Sequence, residues 1–167
     1  MAARRSVVER EMIALLPRLR RFGLSLTGAQ DVADDLVQET CERAITRADQ
    51  FQAGTHLDRW MFSIMSSCWK NQIRSRKVRA ADSDDEALNA LVDERESGRA
   101  ERLQALSDVD RAMLSLPLEQ RETLMLISVE GLSYRETADA LDVAIGTVMS
   151  RVARARLALA AELGSMT

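Results

Sequence analysis

The residues from 131 to 163, GLSYRETADALDVAIGTVMSRVARARLALAAEL, constrain the fold of this chain more than any other stretch. They write a short helix, a tight turn and a longer helix in succession. Gly131 suits the left-handed residue that stops a preceding helix. Ser133, with Glu136 three positions on, makes a capping box that satisfies orphan N–H groups, so a helix is predicted to begin at Ser133. Ala138 and Leu141 give it a small apolar face. Asp142, Val143 and Ala144 break the period, and Gly146 and Thr147 open the second helix. The product is a helix-turn-helix. In its second helix Val148, Val152, Ala155 and Leu159 recur at helical spacing and form an inward stripe. Thr147, Ser150, Arg151 and Arg154 share the outward side with Arg156 near it, and no acid appears before Glu162. Hydroxyls reach phosphates or base edges and arginine pairs bidentately with guanine, so this face suits the DNA major groove. A solvated arginine-rich helix has the same charge pattern; the capped helix-turn-helix context favours DNA.

A formal net charge of −3 sits badly with a nucleic-acid partner until the signs are placed along the chain. With 46% hydrophobic residues but only seven glycines and two prolines in 167 residues, the composition is that of helical domains, one or two small ones. Cys41 and Cys68 lack CxxC spacing and read as reduced, buried thiols rather than a disulfide, in keeping with a cytoplasmic protein. His56 reads as a surface residue. No nucleophile-base pair, metal cluster or phosphate-binding glycine loop stands in the sequence, so an enzyme, a cofactor and a metal are not expected. The N-terminus is too interrupted by charge for a signal peptide, and no apolar run approaches membrane-spanning length.

Taken in order, 6–26 is predicted as a helix through Val8, Met12, Leu15, Leu16, Leu19, Phe22 and Leu26, stopped at Thr27 and Gly28. Pro17 either kinks it or starts a new helix. A second helix over 31–49 sets Ala33, Leu36, Val37, Thr40 and Ala44 against an opposite face of Asp35, Gln38, Glu39 and Glu42, which is either solvated surface or a docking face for a basic partner. A loop over 51–55 follows, with Thr55 as the expected N-cap of the next helix. Leu57, Trp60, Met61, Ile64, Met65 and Cys68 form that helix's core face. Its far end carries Lys70, Arg74, Arg76, Lys77 and Arg79, interleaved with Trp69, Asn71 and Gln72. Cations with aromatic and amide neighbours hold a single strand by charge and stacking, although a solubilising helix end has the same composition. The sign then reverses: between 82 and 96 seven acids face one base, Arg95, which marks a linker that stays off DNA phosphates. A second domain from Gly98 is predicted to hold one helix marked by Leu103, Leu106, Val109, Met113 and Leu116. Another begins at Pro117 and runs through Leu124, Leu126 and Ile127 to Gly131.

The chain resembles the extracytoplasmic-function (ECF) class of bacterial RNA polymerase sigma factors. The matching residues are Asp34 to Glu39 with Arg43 and Ala44, then Phe51, Gly54 and Leu57 to Phe62 in the first half. In the second half they are Leu116 and Pro117, Gln120 and Arg121, Glu130 to Tyr134, Gly146 to Val148 and Ser150 to Arg156. The resemblance implies an all-α protein with a sigma region 2-like domain over 1–80, an acidic linker over 81–97 and a region 4-like helix-turn-helix domain over 98–167. It implies that Asp35, Gln38, Glu39 and Glu42 dock on core RNA polymerase, and that Phe51, Ser67, Lys70, Asn71, Arg74 and Lys77 engage the minus-10 promoter element. It implies that Thr147, Ser150, Arg151, Arg154 and Arg156 read the minus-35 element, that the linker runs near the polymerase's RNA path, and that an anti-sigma factor holds the protein inactive. Two departures stand out: Met149 where the family commonly has lysine or arginine, and Ser67 where it often has asparagine. Other readings are a sigma mimic that titrates an anti-sigma factor, disfavoured by Arg151, Arg154 and Arg156, and a simple helix-turn-helix repressor, which leaves the first domain unexplained.

Overall fold

The computed structural model describes residues 2–82 and 107–166. Seven α-helices and one 3-10 turn make up the regular structure of the described residues: α1 (Ala2–Thr27), α2 (Gln30–Thr46), the turn Ala48–Gln50, α3 (Leu57–Asp82), α4 (Asp108–Ser115), α5 (Leu118–Ser128), α6 (Tyr134–Leu141) and α7 (Ile145–Ser165). The predicted all-α class holds. The acidic stretch from 83 onward, Leu103 and Leu106 lie outside the described residues; Asp82 still belongs to α3.

In the first half α1, α2 and α3 pack on one another around Leu19, Phe22, Leu36, Met61, Phe62 and Met65, all fully buried. Each such side chain contributes about 1.5–3 kcal/mol. Phe22 and Phe62 meet edge to face at 5.2 Å. Pro17 resolves the open question in favour of one continuous helix. Proline removes the bond to the carbonyl four residues back, but here that residue, Ile13, and Pro17 itself face solvent, where water can take the bond's place. The predicted cap at Thr55 is overturned. Thr55 donates its hydroxyl to Gln52 O at 2.6 Å, and the first helical bond runs from Trp60 N–H to His56 O.

The helix-turn-helix forms as read. Gly131 adopts φ 76°, Leu132 N–H closes back on Leu126 O at 2.9 Å, and Ser133 and Glu136 complete the capping box. Asp142 takes the left-handed conformation at φ 53° and ends α6. Val148, Val152 and Ala155 are buried as the inward stripe. Val109 departs from expectation: it is 54% exposed on α4, because the helix buries Ala112 instead.

The sequence divides the chain into two helical domains joined by a linker. In the structure the halves lie against each other: α1 packs on α5 and α3 on α6. Met125, Leu126, Leu132 and Leu141 belong to the same buried cluster as the first half's core. The second half keeps a smaller cluster of its own, Leu116, Leu124, Ala138, Val148, Val152 and Ala155.

Candidate nucleic-acid interface

Helix α3 places Trp60, Ser63, Ser67, Asn71 and Arg74 on one line, because steps of three and four residues return to the same face. Along it Trp60 and Ser63 are half-buried, while Ser67, Asn71 and Arg74 are exposed. Lys77 is exposed beside them. Phe51 is buried, its ring 5.3 Å from that of Trp60, so it supports the loop over 51–55 from beneath rather than presenting a surface. Trp69 is likewise buried, with the Arg76 guanidinium 5.4 Å over its ring, and offers no platform for a stacked base. Polar contact along this stripe therefore falls to Ser67, Asn71 and Arg74.

Lys70 is placed differently from expectation. Its Nζ lies 2.6 Å from Glu122 Oε1 of α5, and the other oxygen of that carboxylate accepts the Ser66 hydroxyl at 2.6 Å. The Glu122 side chain is 1% exposed, so its charge is answered inside the contact between the two halves. Three further ties run alongside. Glu130, whose side chain is fully buried, receives Arg18 Nε at 2.8 Å and Arg21 Nη2 at 2.9 Å. Arg18 also reaches Asp58 at 3.0 Å; burial alone would lower its pKa, but the bonds to Glu130 and Asp58 prevail and hold it above its ordinary value. Arg59 pairs with Glu136 at 2.7 Å, the residue that closes the capping box of α6. Buried Arg121 donates to Leu26 O at 3.0 Å, at the end of α1. A groove of about 600 Å³ remains between the halves, lined by Leu24, Val109, Met113, Leu114 and Leu159 with Arg21 and Arg156 among its walls.

On α7, Ser150 and Arg154 are exposed, Thr147 and Arg151 half-buried. Ser150 donates its hydroxyl to Thr147 O at 3.1 Å, leaving its oxygen as an outward acceptor. Arg151 has a buried Nη1 without a hydrogen-bond partner. Arg156 is exposed and lines the groove, on the side of the helix away from Thr147 and Arg151. On α2, Asp35, Gln38 and Glu42 are exposed as expected. Glu39 is turned toward its own chain, bonded to Arg43 and to Gln72 of α3. Burial pushes the Cys41 and Cys68 thiols above their ordinary pKa, helped by the charges of Glu42 and Glu39 respectively, which suits the inert role read from sequence.

Sequence reasoning gave no role to Glu122 or Arg18, and noted Arg121 and Glu130 only as matching positions. Glu122 stands in a polar stretch, Glu119 to Thr123, ahead of the apolar run Leu124 to Ile127, so nothing in its neighbours marks it as buried.

Comparison with known proteins places the chain in a family. Residues 106–159 match the family described as Sigma-70, region 4, and residues 12–66 match the Sigma2 domain of PhyR. Over 92% of its length the chain is 38% identical to the ECF RNA polymerase sigma factor EcfG of Rhodopseudomonas palustris, covering 83% of that protein. The chain belongs to the ECF RNA polymerase sigma factors. The solved structure of the sigma factor RpoE in complex with the anti-sigma factor NepR, from Bartonella quintana, resembles this sigma factor at 31% identity and a TM-score of 0.76, over 93% of this chain and 96% of that one. CnrH in complex with the cytosolic domain of CnrY shares the fold at 20% identity and a TM-score of 0.70, over 99% of this chain and 96% of that one. No group of histidine, cysteine and carboxylate side chains suited to a metal occurs among the described residues. No helix among them is long and apolar enough to cross a membrane.

Proposed function

We propose that this ECF sigma factor directs core RNA polymerase to its promoters through two separate surfaces of its own. The α3 stripe of Ser67, Asn71 and Arg74, with Lys77 beside it, holds the opened minus-10 strand, and the α7 face of Thr147, Ser150, Arg151 and Arg154 reads minus-35 duplex. The observation that carries this reading is the capped helix-turn-helix with Ser150 and Arg154 outward and no acid on α7 before Glu162. Asp35, Gln38 and Glu42 form the exposed acidic face that meets the polymerase. The work is done where the chromosome is, in the cytoplasm.

The arrangement with both halves in contact is the resting form. Lys70 cannot answer Glu122 and a DNA phosphate at once, so it joins the α3 stripe when α5 leaves α3. Charged ties of this kind suit a contact that must open, since desolvation offsets much of their Coulombic gain and the net stabilisation is modest. An anti-sigma partner, of which NepR beside RpoE is an example in a similar protein, would bind this resting form and keep it shut.

A sigma mimic is the second reading, favoured by the match of residues 12–66 to the Sigma2 domain of PhyR. Reconstitution with bacterial core polymerase on a library of promoter fragments separates the two. Promoter-specific initiation is expected. Binding to core polymerase with no promoter opening would favour the mimic.

A further inference from the structure

Helix α7 carries more than its polar face. Ile145 is 44% exposed and Met149 53% exposed, one turn apart on the first two turns. At about 100° per residue, Thr147 and Arg151 lie along one flank of the helix, Ile145 and Met149 along the other, and Ser150 and Arg154 project between. Single exposed apolar residues are ordinary. A pair forming a ridge at the N-terminal end of the second helix is placed where helix-turn-helix proteins meet base edges. Its surroundings fit a polyanion, because α7 has no carboxylate before Glu162 and Ser150 and Arg154 stand exposed on the outward face between the two flanks.

The major groove offers one apolar group at its base edges, the 5-methyl of thymine; the other groups there are hydrogen-bond donors and acceptors. Methionine suits such a target, being unbranched, polarizable and able to settle against an irregular surface. It can donate nothing to guanine or to phosphate. Ile145 is fixed at χ1 by its branched Cβ and walls the site one turn earlier.

We infer that Met149, backed by Ile145, is a specificity-determining residue that reads the thymine methyl of an A·T pair in the minus-35 element. This rests on α7 being the minus-35 reader. Where a lysine or arginine at the same place would favour guanine or a phosphate, Met149 favours a methyl group. The polar side chains Ser150 and Arg154 then fix the pairs next to it.

The test uses the reconstituted holoenzyme. Minus-35 sequences are selected from a randomised duplex library, and each thymine of the selected site is then replaced by deoxyuridine, which lacks only the methyl. One position is expected to lose about fourfold in binding, the worth of one buried methyl group. The Met149→Ala holoenzyme should bind the thymine and deoxyuridine duplexes equally, and Met149→Lys should shift the selected pair toward G·C. Arg154→Ala serves as the control for α7 itself and should relax base preference by roughly 5- to 150-fold. A methyl effect that persists in Met149→Ala, or that is absent at every thymine while Arg154→Ala still relaxes preference, overturns the Met149 contact. If neither Arg154→Ala nor Met149→Ala changes the selected sequence, the assignment of α7 to the minus-35 element falls, and the inference with it.

Discussion

Glu122→Gln removes one negative charge from the contact between the halves while leaving an oxygen of nearly the same shape to accept the Ser66 hydroxyl. In the structure that carboxylate is buried and bonded twice, to Ser66 Oγ and Lys70 Nζ, each at 2.6 Å. Breaking a fully buried pair by losing one partner costs about 3–5 kcal/mol. The Lys70 side chain, however, is 33% exposed, so water recovers part of its solvation once the charge opposite is gone. Reducing one charge-assisted bond to a neutral one, with that discount, leaves about 1 kcal/mol against the closed form, or about fivefold in the closed-to-open ratio. Freed Lys70 then adds a cation to the α3 stripe. The free protein should bind a minus-10 single strand up to about fivefold more tightly, measured by fluorescence anisotropy, because the binding-competent fraction rises. Small-angle scattering should report a larger radius of gyration at unchanged helix content. Ser66→Ala, which leaves every proposed DNA contact intact, should move both readouts the same way by a smaller amount. An unaltered scattering profile and strand affinity in both folded variants would refute the reasoning: the Glu122 contact would then be an ornament of a rigid particle rather than a tie that holds it closed.

Charge neutralisation at Arg74 or Lys77 should weaken binding of promoter DNA of any sequence. The slope of log K against log salt should fall by roughly one unit for each lost phosphate contact in a duplex, as read from titrations at several salt concentrations. Gly28→Ala should destabilise the folded chain by about 1–2 kcal/mol in urea melts. Gly28 holds φ 73°, and a Cβ there would stand 3.2 Å from Leu114 Cδ2 of the other half, so the variant also loosens the contact between halves.

The helix-turn-helix was legible because its determinants are local. Gly131, the Ser133 and Glu136 box and the Val148, Val152, Ala155 stripe act within a few residues of one another, so neighbouring letters suffice to specify them. The same holds for the core faces of α1, α2 and α3, where periodicity tells inside from outside. Local reading failed where a residue's fate depends on something far along the chain. Phe51 and Trp69 look like aromatic platforms in sequence, yet packing against Trp60 and Arg76 takes them out of play. Lys70 looks like a DNA cation, and 52 residues further on Glu122 claims it.

Sequence alone, then, determined the all-α class, the capped helix-turn-helix and the segregation of charge along the chain, since each follows from short-range geometry and side-chain chemistry. Tertiary structure decided which of those charges remain on offer. Glu122 and Glu130 are buried acceptors because α5 and the residues after it lie against α1 and α3. The strength of a charge pair is set by distance and by exclusion of water, and those quantities come into being when the two halves meet.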